Sequence, residues 1–436
     1  MHMSTPSIRP GQPMVDAAGH RIDAHGGGFL HDNGTFFWYG SSRKNHPDPP
    51  GYDRGINLYS SRDLYSWRFE GLVVKPLAST ASNENGLDLE RPKVLRCAGR
   101  YVMWLRGTPV RQGSLLKAGV LTSPTPRGPF EWVVEREGAD PFHLLAGRYQ
   151  YGDATLWSDA ASGEAFVYWR ARTREAGFRA MRLNDACTDV LPGTDTRIFA
   201  SPNREAPAFF AHAGSYYLWA SGTLGWEPVQ AYVYNGPTPL GPFNQSTGHG
   251  WHAYTKLPGA NASSQARYRV RDGYLPTGHD WIPERNATVG AAESLCSHDK
   301  RCRGFTFKAY DRRPSPEVAV RCAFKTVDTF VPEGDPEGLQ PPPIPEPGAR
   351  GNRRSDGQPG EWAYGSQSTF VLPNPAWREG TGLPQFVYLA DRWQPRTPDF
   401  GIYVWLPLFV HPTDPARVSV VWHDAWRLDN VSSPFA

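Results

Sequence analysis

The chain has 436 residues, with 46 Lys plus Arg against 43 Asp plus Glu, a formal charge of only +3, and 39% hydrophobic residues. It also carries 16 Trp, 19 Tyr and 21 Phe beside 44 Gly and 42 Pro. Pro costs about 3 kcal/mol and Gly about 1 kcal/mol inside a helix, so a helical protein cannot hold so many breakers, and a disordered chain would not carry so many aromatics. The expected fold class is all-β. With no dense basic run, the chain lacks the cationic footprint of a nucleic-acid binder. Its longest apolar runs, such as Tyr403-Val-Trp-Leu-Pro-Leu-Phe-Val410, are strand-length and far short of the roughly 18 residues of a membrane-spanning helix.

The chain begins Met1-His2-Met3 without an apolar signal segment. It nevertheless holds five Asn-x-Ser/Thr sequons, at Asn33, Asn244, Asn261, Asn286 and Asn430, and five Cys. Both features lean towards a secreted glycoprotein in an oxidising compartment. One pattern then recurs along the chain, a small-residue turn followed by an aromatic, β-branched run. It stands at Thr35-Phe-Phe-Trp-Tyr39, Arg100-Tyr-Val-Met-Trp104, Glu164-Ala-Phe-Val-Tyr-Trp169, Ser215-Tyr-Tyr-Leu-Trp219 and Gln385-Phe-Val-Tyr-Leu389. The first four lie about 50 to 65 residues apart, room for the four strands of a propeller blade. The last interval is longer by about 110 residues and implies an insertion. Ser123-Pro-Thr-Pro-Arg-Gly-Pro-Phe130 and Gly236-Pro-Thr-Pro-Leu-Gly-Pro-Phe243 are near copies, as turns two blades apart would be. A five-bladed β-propeller is therefore expected, with blades one to four in residues 1–245, a small α+β Cys-containing insertion in 246–358, and blade five with the closure in 359–436. A β-sandwich is the competing architecture.

The insertion reads as a short helix, a Cys-closed turn and a β-run: Ala291-Ala-Glu-Ser-Leu-Cys296, Cys302-Arg-Gly-Phe-Thr-Phe307, then Arg321-Cys322. Over about 50 residues this text resembles the PAN/apple module, with Ala292 where a further helix cysteine would stand. The resemblance implies a Cys296–Cys302 pair, leaves Cys322 unassigned, and makes the insertion a packing appendage or a binder of glycan or protein. Pro332 to Gly360 reads as a Pro/Gly-rich linker.

A propeller's natural site is where the first strands of all blades converge. Each blade offers polar residues ahead of an apolar run: His25 before Gly26-Gly-Gly28, Glu90, Asp153, Glu205, and Gln367 between two serines. Carboxylates converging in an aromatic cleft fit glycoside hydrolysis, in which one protonated carboxyl serves the leaving oxygen. Asp153 close to Glu205 would keep that proton on, because like charges resist ionising together.

At these residues the chain resembles glycoside hydrolase family 43, most closely its exo-β-1,3-galactanase branch. The carrying stretches are Ala24-His-Gly-Gly-Gly-Phe29, Leu89-Glu-Arg-Pro-Lys-Val94, Arg204-Glu-Ala-Pro-Ala208, Ser366-Gln-Ser-Thr-Phe370, Asp391-Arg-Trp393 and Trp422-His-Asp-Ala-Trp426. The resemblance implies a five-bladed propeller, inversion at the anomeric carbon, and an oligo- or polysaccharide substrate of the galactan type. It makes Glu205 the general acid, Asp153 the residue tuning it, Glu90 a sugar-binding carboxylate, and Gln367 the residue placing water. A neutral amide is a very weak base, and Asp23 is the alternative. Glu205 and Gln367 are expected to face each other across room for sugar and water. His25, Arg170, Trp226, Trp393 and Trp405 are further expected sugar contacts. No cofactor and no metal ligand set are expected, with a structural calcium left open. Ser41, Arg170 to Arg172, and Gly222 to Trp226 depart from the branch's text, and the new arginines would suit an acidic or sulfated sugar. These departures support a second reading, a lectin-like propeller with weak turnover, and a third, in which the propeller is scaffold for an adhesive insertion.

Overall fold

The computed structural model describes residues 6–42, 55–75, 87–109, 115–134, 140, 142–171, 177–199, 204–221, 231–245, 250–256, 268–275, 279–309, 319–327, 331–332, 366–392 and 402–435. The chain divides into one unit of Met1–Gln245, Trp362–Pro415 and Ser419–Ala436, and another of Ser246–Glu361 with Ala416–Val418.

Alternation of apolar side chains makes the first unit a series of antiparallel meanders. Sheet I is β1 (His25–Asp32), β2 (Thr35–Ser41), β3 (Ile56–Ser61) and β4 (Arg68–Val74). Sheet II is β5 (Leu87–Cys97), β6 (Arg100–Pro109), β7 (Lys117–Ser123) and β8 (Glu131–Trp132), with β9 (Phe142–His143) also paired to β7. Sheet III is β10 (Ala154–Ser158), β11 (Ala165–Arg170), β12 (Phe178–Arg182) and β13 (Thr196–Phe199). Sheet IV is β14 (Glu205–His212), β15 (Ser215–Ser221), β16 (Ala231–Gly236) and β17 (Asn244–Gln245).

In the second unit the strands are β18 (Gly250–Lys256), β19 (Tyr268–Tyr274), β20 (Asp280–Thr288), β21 (Gly304–Ala309), β22 (Ala319–Lys325) and β23 (Val331–Pro332). They form one sheet in the order β20-β22-β21-β18-β19-β23. Between β20 and β21 runs α1 (Val289–His298), whose N-terminus is capped by Thr288 Oγ1 accepting from the Ala291 N–H at 3.2 Å. Cys296 is bonded to Cys302, and both sit in a core with Cys322, Tyr254, Phe305, Phe307 and Phe324. Burial pushes the Cys322 thiol up to about 12. The helix–Cys turn–strand order is as the sequence reads, but the six-stranded sheet is larger than the text around the cysteines foretold. The Pro-rich stretch from 333 to 360 lies outside the described residues.

Sheet V returns to the first unit as β24 (Gln367–Pro373), β25 (Phe386–Asp391), β26 (Tyr403–Val410) and β27 (Val418–Val420). The first strands of the five sheets touch in a cycle: β1 lies against β5, β5 against β10, β10 against β14, β14 against β24, and β24 against β1. Cores fill the spaces between consecutive sheets. Trp38 of β2 packs with Leu389 and Trp405 of sheet V, whereas its neighbours Phe37 and Tyr39 pack with Val94 and Met103 of sheet II. The same alternation puts Trp104 with Trp169 between II and III, and Tyr168 with Phe209 between III and IV. Trp219 meets Tyr388 at 4.6 Å between IV and V. Successive side chains of a strand point to opposite faces, and here both faces are covered, which explains the aromatic surplus.

Two further sequence features find their cause. The near-copy turns follow the third strands of sheets II and IV, each with a cis Gly-Pro bond, at Gly128-Pro129 and Gly241-Pro242. In both, the Thr hydroxyl donates to the Gly carbonyl, Thr125 to Gly128 and Thr238 to Gly241. In the glycine triplet, Gly26 has φ +62, while a Cβ on Gly27 would strike Trp38 Nε1 at 2.3 Å and one on Gly28 the Pro92 carbonyl at 2.4 Å. An unforeseen disulfide joins Cys97, at the end of β5, to Cys187 beyond β12.

Candidate active site

Four of the five first strands share one local device. Each carries a register shift where its polar residue stands: between His25 and Gly28 in β1, Glu90 and Lys93 in β5, Glu205 and Ala208 in β14, and Ser368 and Phe370 in β24. In three of them the residue after the polar one is left-handed, Gly26 at φ 62, Arg91 at 57 and Ala206 at 52. For a non-glycine this conformation costs about 1–2 kcal/mol. A bulge inserts a residue and re-aims side chains, so the start of each strand is turned out of the core alternation. In sheet III, Asp153 immediately precedes β10 and needs no bulge.

The re-aimed groups form one network. Asp153 is 6% exposed and takes Arg91 Nη2 at 3.1 Å, Arg106 Nη1 at 2.6 Å and the Ala206 N–H at 3.2 Å. Arg106 also pairs with Glu90. Arg170 Nη1 lies 2.9 Å from Glu205 Oε2. Gln367 Nε2 donates to Glu205 Oε1 at 3.0 Å and to Ser221 Oγ at 3.3 Å, while its Oε1 accepts from Arg91. Arg91 Nη1 donates to the Ser368 carbonyl at 3.1 Å, and Ser368 Oγ to the Ala206 carbonyl at 2.6 Å. Lys93 Nζ donates to the Gly26 carbonyl at 3.1 Å, and His25 Nδ1 lies 3.1 Å from Asp391 Oδ2, which also accepts from the Gly26 N–H.

The electrostatics separate the two acidic residues. Burial, then the neighbouring Asp153 charge, raise Glu205 to about 7 against the opposing pull of Arg170, Arg91 and Arg106. Burial is also the largest single influence on Asp153 and acts upward. Arg91, Arg106, Arg170 and the Ala206 amide together outweigh it and hold that carboxyl below its usual value. Burial, then Arg91, push Lys93 down to about 7, with Asp391 and Asp153 acting the other way. A pair whose environments drive it apart in this manner lets one carboxyl hold a proton while the other stays ionised.

Of the expected residues, Glu90, Asp153, Glu205, Gln367 and Arg170 are joined in this network, and His25 stands beside it through Asp391 and Gly26. The gap expected between Glu205 and Gln367 is not open: the two are directly hydrogen-bonded, because both strands are bulged towards the same point. Asp23, the alternative base, is 4% exposed and held within sheet I, where its carboxylate accepts from Ser42 Oγ at 3.0 Å. Trp405 is a correction. It is 2% exposed and packs against Trp38 at 5.0 Å and Phe29 at 5.5 Å, because β26 is covered on both faces. Trp226, Trp393 and Arg172 lie outside the described residues. Among the described residues, no group of three or more His, Cys, Asp or Glu could hold a metal ion, and no helix is long and apolar enough to cross a membrane.

Sequence reasoning missed Arg106, Ser221 and Asp391 as site residues. Each stands on a second strand, opposite the first-strand residue: Arg106 faces Glu90, Ser221 faces Glu205, Asp391 faces Gln367. Each stands two residues beyond the apolar anchor of its strand, Trp104, Trp219 or Leu389, a spacing that marks the site only once the strand pairing is known.

First strands that meet in a cycle thus set a raised carboxyl beside an ionised acidic neighbour, an arrangement compatible with glycoside cleavage. The chain belongs to glycosyl hydrolases family 43, whose model matches residues 26–264. That stretch carries Glu90, Asp153 and Glu205. Among solved structures the chain is similar to an exo-β-1,3-galactanase variant from Phanerochaete chrysosporium with β-1,3-galactotriose, at 19% identity and TM-score 0.59, over 97% of this chain and 68% of that one. It is similar to a family-43 β-1,3-galactosidase with galactodeoxynojirimycin, at 21% identity and TM-score 0.60, over 96% of this chain and 100% of that one. An exo-β-1,3-galactanase from Clostridium thermocellum matches at 19% identity and TM-score 0.57, over 98% and 68%. The fold shared with these structures is a β-propeller. No curated protein matches the sequence.

Proposed function

We propose that the chain is an inverting, exo-acting glycoside hydrolase of β-1,3-linked galactan or a related polysaccharide, built as a five-bladed propeller with sheets I to V as its blades. The observation that carries this reading is Glu205 itself, raised to about 7 by burial and by Asp153 at the meeting point of the first strands. A carboxyl that holds its proton near neutral pH can deliver it to the glycosidic oxygen as the bond to the anomeric carbon breaks. Water then adds to that carbon from the opposite face and releases a proton to solvent, since the neutral amide beside it is too weak a base to keep it, and Glu205 is reprotonated from solvent. Gln367 is the group proposed to hold this water, once a bound sugar parts its Nε2 from Glu205, with Arg91 fixing the amide. Asp153 favours the proton on Glu205, and Arg91 and Arg106 keep Asp153 ionised. Glu90, His25 and Arg170 are proposed sugar contacts. The galactan assignment is supported by the galactan-cleaving proteins that share the fold.

The chain is further proposed to be secreted, in keeping with the Cys97–Cys187 and Cys296–Cys302 bonds, and with sequons at the exposed Asn33, Asn286 and Asn430. The insertion is proposed as a PAN/apple-like binding appendage.

The test is Glu205→Gln. On β-1,3-galactan, whose leaving group needs a proton, the variant should lose roughly 10²–10⁴ in kcat. On an aryl glycoside with an acidic phenol leaving group it should lose much less. Proton NMR of the first-formed product should show the inverted anomer. Equal rates for variant and wild type on galactan would sink the hydrolase reading. The lectin-like alternative draws on one observation, that both Glu205 oxygens accept hydrogen bonds from neighbours, and it expects galactan binding without turnover.

A further inference from the structure

The hydrogen bonds around Glu205 conflict with the proton it must carry. Oε1 accepts from Gln367 Nε2 at 3.0 Å and Oε2 accepts from Arg170 Nη1 at 2.9 Å. Both oxygens are therefore acceptors, which is the pattern of an ionised carboxylate. A general acid needs one oxygen bearing the proton and aimed at the leaving group. Of the two partners, the neutral amide is compatible with a protonated carboxyl, because one oxygen can still accept from it. The guanidinium is not: five fixed donors and a permanent charge disfavour a proton on the oxygen they face.

The surrounding charges do not resolve the conflict. Asp153, ahead of β10, favours the proton; Arg91 on β5 and Arg106 on β6 oppose it, but both are already engaged by Asp153. Arg106 is shared with Glu90 as well. Arg170, at the end of β11, is paired with Glu205 and keeps a fifth of its side chain exposed. It is the cation positioned to exchange one anion for another. The exchange partner must reach the scissile bond, since Glu205 serves that bond.

We propose that Arg170 is a specificity-determining residue for anionic sugars: it leaves Glu205 for a carboxylate or sulfate on a sugar flanking the scissile bond, and Glu205 then takes a proton from solvent. Recognition of the substrate's charge and arming of the acid are thus one event. The proposal rests on the hydrolase reading for its use of the proton, but the exchange itself is a binding equilibrium and is testable without turnover.

Three oligosaccharide probes separate the sources of the anion: neutral β-1,3-galactotriose, a sulfated galacto-oligosaccharide, and a galacto-oligosaccharide bearing a uronic acid. Affinities are measured by calorimetry on the full chain, in buffers of different ionisation heat. At least one anionic probe should bind about tenfold or more tightly than the neutral one, the scale of a charge-assisted hydrogen bond. Its binding should take up a proton at pH 7 to 8 and weaken as pH rises. Glu205→Gln, which mimics the protonated acid and cannot hold Arg170 ionically, should bind the anionic probe more tightly than wild type and take up no proton. Arg170→Gln should lose the discrimination, and circular dichroism and thermal unfolding verify its fold. For turnover, the alkaline limb of kcat/KM on the neutral probe should lie at higher pH in Arg170→Gln than in wild type. Equal affinities for neutral and anionic probes, or discrimination that survives Arg170→Gln, would overturn the proposal. Discrimination and proton uptake without hydrolysis of any probe would instead contradict the hydrolase reading while upholding the role of Arg170.

Discussion

The two units of the chain differ in whether an ion pair is buried on both sides. In the unit of Ser246–Glu361, Arg301 pairs with Asp299 at 2.6 Å with the arginine 73% exposed, and the buried Lys325 reaches out to the half-exposed Asp280. In the five-sheet unit, Arg91 and Asp153 form an ion pair with both side chains 7% exposed, and Arg106, Glu90, Arg170 and Glu205 join it at 20% or less. Exposed pairs contribute little and burden little. Buried ones carry a desolvation cost that hydrophobic packing would avoid. A fold that keeps such a network, and bulges four strands to aim it, bears a cost in stability for which the proposed chemistry would account.

That contrast can be broken by substitution. The largest effect is expected at Asp153→Ala, which leaves the buried Arg91 without its carboxylate and Arg106 with Glu90 alone. We expect about 3–5 kcal/mol of lost stability by denaturant unfolding and near-complete loss of galactan hydrolysis. A stability change below about 1 kcal/mol would mean that the network is wetter than its geometry implies. Trp405→Ala should cost about 3–5 kcal/mol as a core truncation. A normal unfolding midpoint with a raised KM would restore the residue to the sugar site. Asp153→Asn, milder than the alanine, should move the alkaline limb of kcat/KM below about 7. It removes the negative charge that keeps the proton on Glu205 and leaves Arg91 and Arg106 less compensated. A limb displaced to higher pH would reverse the roles of the two carboxyls. In the other unit, Thr288→Ala should cost about 1 kcal/mol through the lost cap of α1, read by local hydrogen exchange in the intact chain. Asp299→Ala, with its pair in solvent, should leave the unfolding midpoint unchanged.

What the sequence revealed follows from period and register. Runs such as Phe36-Phe-Trp-Tyr39 announce a strand, and their recurrence announces five sheets, because each sheet must present apolar side chains to neighbours on both sides. The polar residues ahead of the first strands were legible for the same reason, as interruptions of apolar text. Arg106, Ser221 and Asp391 were not, because a residue's membership of the site depends on what lies across the hydrogen-bonded pair, which only register reveals. Trp405 was misread since one-dimensional text does not show that β26 is buried on both faces. The Cys97–Cys187 bond spans 90 residues of sequence, and no local pattern connects its ends. The bulges, too, were invisible except at Gly26: Arg91 and Ala206 take left-handed conformations that their residue types do not advertise.

The proposed chemistry requires a Glu205 that holds a proton near neutral pH inside a network of ion pairs. Its carboxyl can be titrated directly by carbon-13 NMR of glutamate-labelled protein, with Glu205→Gln identifying the signal. The expected midpoint is near 7, far above the ordinary carboxyl range, and falls in Asp153→Asn. A Glu205 that remains ionised down to pH 5 would contradict it.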